Sequence, residues 1–349
     1  MKSYKEQMDG LHFSPEQKRQ MVEDLLSARS GAPRPRRRGG RMLAVGLAAA
    51  LVLAVGAAGA SGALPTASEV LGGIFGGSPA QTEVIDAIGR PIGASDTDAG
   101  VTITADAIIG DSTSYAVVYS IAREDGQPLF DPEEVEDVEG RLMLAFGEAE
   151  TDVGVMGGAH GGAWFYDADP KDGAVQYVET MTYDQEIRPG TARASFRDLC
   201  RYTEDMRRET LAEGKWDISF DFAFEDCSVR WEGEKAMDLG GGVQAVLTGA
   251  TLSPLSFQVD YTVEGGIPFD GESGRYDQEA VDRCFHDVPV VLTLTDGTEL
   301  DLTHSGGGFT PGDGETVCRK SGVFSPLLDL EEVESLTVGE VTIPASDLR

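Results

Sequence analysis

The sequence predicts a mainly β protein: two tandem β-sandwich domains on the outer side of a membrane, behind one transmembrane helix and a short cytoplasmic helix. Three observations carry this reading. One uncharged apolar stretch separates a basic N-terminal segment from a strongly acidic remainder. From Val101 onward apolar residues recur with a period of two. A two-strand pattern occurs twice, 142 residues apart.

The chain has 349 residues, more than one typical domain holds, and a net charge of −32. Residues 1–41 carry ten Lys/Arg and five Asp/Glu, so the remainder is more acidic than the total. Such a split suggests two environments. The divide falls at Met42–Leu64, 23 residues without a charge. As a helix this stretch reaches ~34 Å, enough to cross a hydrocarbon core of ~30 Å. Inside lipid the backbone must satisfy its own hydrogen bonds, which requires the helix. Arg34, Arg36, Arg37, Arg38 and Arg41 precede it, and no Lys or Arg follows until Arg90. Positive charge stays inside, so the N-terminus is expected in the cytoplasm and residues 65–349 outside. Two alternatives stay open: a signal peptide cleaved near Ala58-Gly59-Ala60, or an Ala-rich helix buried in a soluble protein.

In the first 41 residues, Ser14-Pro15-Glu16-Gln17 reads as a helix start. Ser14 caps, Pro15 suits the first helical position, Gln17 completes a capping box and Glu16 favours the positive helix end. Met21, Val22, Leu25 and Leu26 then line one face of a helix from about Pro15 to Ala28, which Gly31-Ala32-Pro33 stops. A lone helix of this length is marginal in water, and the segment has no core of its own. The stripe is therefore expected to meet a partner or, helped by the arginines, the inner lipid surface; a disordered tail is the third reading.

Residues 65–99 read as a juxtamembrane linker with two short helical turns, Ser68–Phe75 and Thr82–Ile88, and a linker-like stretch over 89–100. Val101, Ile103 and Ala105 start the first strand; Tyr115, Val117, Tyr119 and Ile121 make the second, beyond a Gly110-Asp111-Ser112 turn. Further strands are expected at Arg141–Phe146, Val175–Thr182 and Trp216–Phe224, with Ser195–Leu211 as a helix or irregular excursion. The opening recurs: Gly242-Val243 and then Phe257, Val259, Tyr261 and Val263 match Gly100-Val101 and the second strand at a constant offset. Domains at 100–235 and 240–349 follow, the second continuing through an Asp296-Gly297 hairpin signal.

No catalytic residue, metal-ligand set or cofactor site emerges. His12, His160, His286 and His304 are scattered, and no zinc spacing, Walker loop or nucleophile elbow occurs. Asp167, Asp169, Asp172 and Gly173 miss a calcium-loop spacing by one residue and read as a solvated turn. Cys200, Cys227, Cys284 and Cys318 fall two to a domain, which suggests pairs 200–227 and 284–318, against four packed thiols. The acidic exterior would repel nucleic acid and anionic lipid and attract a cationic partner; solubility alone is the plainer explanation.

The run from Gly76 to Ile121, GGSPAQTEVIDAIGRPIGASDTDAGVTITADAIIGDSTSYAVVYSI, resembles the opening of the bacterial domain-of-unknown-function 4179 family. The likeness covers about residues 40–235, and the second domain resembles the immunoglobulin-like modules that often follow. It implies an extracytoplasmic protein behind one membrane helix. Some members are anti-sigma factors of Gram-positive bacteria, whose cytoplasmic segment holds a sigma factor until proteolysis frees it. The helix 15–28 stands where such a segment would be, without the zinc-type H-x-x-x-C-x-x-C motif. Sigma binding would then rest on Met21, Val22, Leu25 and Leu26. The expected function is thus a membrane signalling regulator sensing an envelope signal; the rival is a surface-anchored adhesion or envelope-structural module.

Overall fold

The computed structural model describes residues 64–349, apart from Gly77, 132–134, Glu136, Glu204, 271–273 and Asp313. The expected cytoplasmic helix, with its cap Ser14 and Gln17, its stripe and the arginines 34–41, lies outside the described residues, as does the 42–64 stretch but for Leu64. Among the described residues no helix is long and apolar enough to cross a membrane.

Two short helices come first, α1 (Ala67–Phe75) and α2 (Pro79–Ile88). Each is started by a full capping box, Thr66 with Glu69 and Ser78 with Gln81, and α2 has Pro79 in its first turn. The rest is antiparallel β. The stretch 89–100, expected as linker, is instead an edge strand, β1 (Arg90–Asp98). Its small and polar residues are half-covered on both faces, so no alternation shows in the sequence. β1 turns into β2 (Val101–Gly110) through Ala99 and Gly100 at φ 50° and 73°. Two left-handed residues suit the twist of a tight hairpin.

β2, β3 (Ser114–Arg123), β4 (Asp137–Val138), β5 (Arg141–Leu142), β7 (Ala159–Tyr166) and β8 (Val175–Tyr183) join β1 in one sheet, ordered β1-β2-β3-β8-β7-β5-β4. Opposite it lie β6 (Leu144–Asp152), β9 (Gly190–Tyr202) and β10 (Arg208–Phe222), ordered β10-β9-β6. Between the two sheets Tyr115, Tyr119, Phe146, Phe196 and Trp216 form an aromatic core, with the Trp216 indole N–H donating to Val101 O at 2.9 Å.

Ser195–Leu211 is strand, not helix: it spans the end of β9 and the start of β10. Ala192, Ala194 and Phe196 face inward with period two; then Asp198, at φ 48°, shifts the face by one, so Leu199 is buried next. That shift produces the three-residue spacing of Phe196, Leu199 and Tyr202 that imitates a helix.

The second half repeats this plan. β11 (Val229–Asp238), β12 (Gln244–Leu252), β13 (Ser256–Glu264), β18 (Gly306–Pro311) and β19 (Glu315–Val323) form a sheet ordered β11-β12-β13-β19-β18. The same order, with the same antiparallel pairing, runs through β1-β2-β3-β8-β7. Even the bulge recurs: register shifts between Ala105 and Ala107 against β3, and between Leu247 and Gly249 against β13. β11, most of which precedes the boundary expected at 235–240, pairs with β12 in this second sheet. β16 (Val290–Leu294), β17 (Glu299–Asp301), β20 (Val333–Val338) and β21 (Val341–Pro344) close the second core over Leu247, Tyr261, Val290, Cys318 and Leu336. A two-residue ladder, β14 (Phe269–Asp270) with β15 (Arg275–Tyr276), precedes the short helix α3 (Gln278–Val281) and a π-helical turn, Asp282–His286.

Candidate functional site

The two halves meet at the matching turns of the repeat. Asp111, in the β2–β3 turn, is 2 % exposed. Its Oδ1 accepts the backbone N–H of Thr113 and Ser114, both at 2.8 Å, and the Thr113 hydroxyl. Its Oδ2 accepts the hydroxyls of Ser253 at 2.5 Å and Ser256 at 2.6 Å, from the β12–β13 turn. Ser253 stands 142 residues after Asp111, so the bond joins equivalent positions of the two copies. The repeat offset in the sequence contains this pairing, but nothing in the sequence says that the equivalent turns touch. Arg230 completes the joint, donating to Ser112 Oγ at 2.8 Å and pairing with Asp226 at 2.9 Å.

Over this joint lies the α1–α2 hairpin. Leu71, Phe75, Ile85 and Ile88 are buried against Ala107, Ile109, Ala116, Val118 and Val178, the outward face of the first long sheet, together with Leu255 and Leu327 from the second half. Three bonds tie the hairpin to residues 325–327: Leu327 N–H to Phe75 O at 2.9 Å, Gln81 Nε2 to Leu327 O at 3.0 Å and Ser325 Oγ to Ile74 O at 3.0 Å. The hairpin therefore grips both halves at once.

Besides Asp111, three Asp, Glu or Lys side chains are buried among the described residues. Glu179, on β8, accepts from the Tyr115 hydroxyl at 2.5 Å and the Thr151 hydroxyl at 3.0 Å, and burial raises its carboxyl. Lys320, on β19, donates to three backbone carbonyls in the second half. Asp106, at the β2 bulge, accepts from Ser120 Oγ at 2.5 Å, faces Tyr166, and is pushed up to about 7 by burial. A carboxyl raised in the fold costs stability once it ionises. Stability from Asp106 is whole below the unfolded value near 3.8 and falls as pH rises toward about 7. Asp106→Asn, which keeps an acceptor for Ser120, is expected to be more stable than wild type at pH 8 by on the order of 2–4 kcal/mol. The advantage should vanish by pH 4; urea unfolding at both pH values checks it, and a gap independent of pH would rule it out.

In the structure the four cysteines stand unbonded, without the expected pairs 200–227 and 284–318. Cys200 lies on β9, its thiol near Asp198 O and Thr210 Oγ1, while Cys227 packs at the edge of the cluster under the α1–α2 hairpin. Cys284 and Cys318 do share the second core, where the Cys318 thiol turns to Cys284 O at 3.9 Å and burial pushes it up to about 12. In the Asp167–Gly173 turn, Asp169 and Asp172 accept the backbone N–H groups of Lys171 and Ala174. No metal-sized cluster of His, Cys, Asp or Glu occurs among the described residues.

One side of the first half carries two adjoining shallow cavities. A shallow cavity of about 360 Å³ lies over Glu150, Asp152, Arg193, Ser195, Asp217 and Ser219, on the outer face of β6, β9 and β10. A second, of about 340 Å³, lies along the junction of β1 and β10 and is lined by Pro91, Ile92, Ala94, Thr191, Phe220 and Asp221, sharing Ser219 with the first. Above it the two edge strands are bridged by side chains: Asp98 Oδ2 accepts the Lys215 N–H at 2.9 Å and Asp96 Oδ2 the Asp217 N–H at 2.8 Å. The sequence places Ser219, Phe220 and Asp221 on an expected strand but gives no sign of β1, whose small and polar residues show no alternation.

No family model matches the chain, and no curated protein does. Among solved structures it is similar to the conserved domain protein from Bacillus anthracis, at 17% identity and a TM-score of 0.45, over 71% of this chain and 75% of that one.

Proposed function

We propose that the chain is a single-pass membrane signalling regulator of the anti-sigma type, related to the domain-of-unknown-function 4179 family. Its N-terminal helix holds a sigma factor in the cytoplasm, and its acidic outer part, two immunoglobulin-like sandwiches in tandem, receives an envelope signal. The observation that most supports this is the α1–α2 hairpin. It follows the apolar 42–64 stretch in the chain and is gripped by both halves of the β structure. A shift at the joint would then reach the chain that leads to the membrane. A module built only to adhere has no need of that grip.

Helix-in-groove binding would bury Met21, Val22, Leu25 and Leu26 in the partner, at roughly 1.5–3 kcal/mol per side chain before ordering costs. Leu25→Asp loses one such term and adds a charge to the seam. Capture of cytoplasmic proteins on the full-length chain is expected to retain a sigma factor, with at least tenfold less on the variant and equal membrane insertion. Equal retention by both, or no sigma factor on wild type, would return the N-terminal segment to a mere anchor and favour the adhesion module.

A further inference from the structure

We propose that the slot between β1 and β10 is a strand-acceptor site for an extended peptide in which basic and apolar residues alternate. The argument begins with the direction of backbone groups on β10. This strand is an edge, paired only with β9, and its register against β9 is constant from Lys215 to Phe222. The N–H groups of Lys215 and Asp217 point away from β9, since Asp98 and Asp96 accept them. Along an antiparallel strand, residues two apart turn N–H and C=O to the same edge. Ser219 and Asp221 therefore present theirs outward too.

There the bridging stops. β1 breaks its own register with β2 between Pro91 and Ala94, Pro91 has no N–H, and no carboxylate from Ile92 or Ala94 can reach across. What remains is the 340 Å³ slot, with two residues of open strand edge on one wall and the half-buried Ile92 and Ala94 on the other. Open edges recruit strands, and proteins normally cover or charge them. Of the four outward-facing residues from Lys215 to Asp221, two are covered by side-chain carboxylates and two are open.

Charge selects the occupant. Asp96, Asp98, Asp217 and Asp221 flank the edge, and Glu150 and Asp152 line the adjoining cavity. The facing bases are Lys215, already paired with Asp217 at 2.7 Å, Arg197, paired with Glu148 at 3.0 Å, and Arg193. An incoming strand would turn alternate side chains toward Ile92 and the core edge at Phe220, and the others toward the carboxylates. That pattern is apolar–basic alternation.

This deepens the preceding proposal by naming a ligand class for the outer part, and rests on it only for placing the slot outside the cell. The test uses the full-length chain in detergent micelles and a labelled, end-capped lysine–valine alternating heptapeptide, read by fluorescence anisotropy. Binding is expected to weaken at least tenfold with Ser219→Pro, which removes an outward N–H, and with a peptide N-methylated at alternate positions. Asp221→Lys, a surface change that leaves the fold intact, should weaken it severalfold even if the proline variant misfolds. Equal binding of the methylated peptide would reduce the effect to diffuse charge attraction and overturn the proposal. So would indifference to both substitutions, or self-association through this edge without peptide binding, which would give the slot to a second copy. None of these results bears on sigma-factor capture, so the two proposals fail separately.

Discussion

Asp111→Ala is expected to destabilise the described fold by ~3–5 kcal/mol and to uncouple its two halves. The carboxyl group accepts five donors, three in its own turn and two across the joint, and hydrogen bonds to such groups are worth ~1.5–3 kcal/mol each when taken singly. They share one acceptor, so the sum is not additive. The main cost is the set of donors left behind: Ser114 N–H and the Ser253 and Ser256 hydroxyls are buried and would face a methyl group. Two consequences separate on measurement. The β2–β3 turn loosens, and the carboxyl group that reaches from that turn to the β12–β13 turn is gone. Trp216 reports the first core and Trp231 packs against the second. In wild type their urea transitions should coincide; in the variant they should part, with the first half unfolding earlier. A variant within 1 kcal/mol of wild type, with coincident transitions, would show that the joint is held by the apolar cluster alone.

Lys320→Met should cost a similar ~3–5 kcal/mol, located in the second half. Lys320 is 0 % exposed, and its amine donates to Val288 O at 2.8 Å, His286 O at 3.1 Å and Thr303 O at 2.5 Å, with the Phe285 ring centroid 5.7 Å away. Burying an amine is unfavourable, and a methionine of similar shape removes that penalty. It cannot remove the three carbonyls, which belong to the backbone and would remain in the core without donors, at ~1–3 kcal/mol each. The orphaned carbonyls outweigh the relief. These carbonyls bracket the segments that enter β16 and leave β17, so the amine ties the second sheet of this half to β19. Burial also lowers the amine to about 8, against raising influences from Asp287 and Asp301. The sign follows: the penalty is full below about pH 8 and eases as pH rises toward the unfolded value of 10.5. The gap between wild type and Lys320→Met should therefore widen between pH 8 and 10. A variant as stable as wild type, or a gap that narrows, would contradict this account.

Lys320 also illustrates what could be seen beforehand. Thr316, Cys318 and Lys320 alternate on one face of β19, and period two alone puts the lysine inside. What it meets there depends on two loops from other strands, and no local pattern encodes their carbonyls. Asp111 is the same case. Gly110-Asp111-Ser112 is legible as a turn, and the 142-residue repeat pairs it with Ser253. The contact between the turns is set by how the copies pack. The Asp167–Gly173 stretch reads from its spacing as a solvated turn, since acidic spacing is common in so acidic a chain, and in the fold Asp169 and Asp172 accept the backbone N–H groups of Lys171 and Ala174.

By itself, the sequence determined that the chain outside its N-terminal segment is mainly β, that two short helices precede the strands, and that the opening pair of strands is duplicated. These follow from local rules: the two-residue alternation of a half-buried strand, two short helical turns at Ser68–Phe75 and Thr82–Ile88 and an offset readable by counting. Only the tertiary structure decided that 89–100 is an edge strand, that Ser195–Leu211 is strand and that β11 pairs into the second long sheet. It alone placed the slot between β1 and β10. The reason is common to all of them. An edge strand, a bulge or a buried ion is stabilised by partners distant in the chain, and their identity is fixed by how sheets pack, not by the neighbours of a residue in sequence.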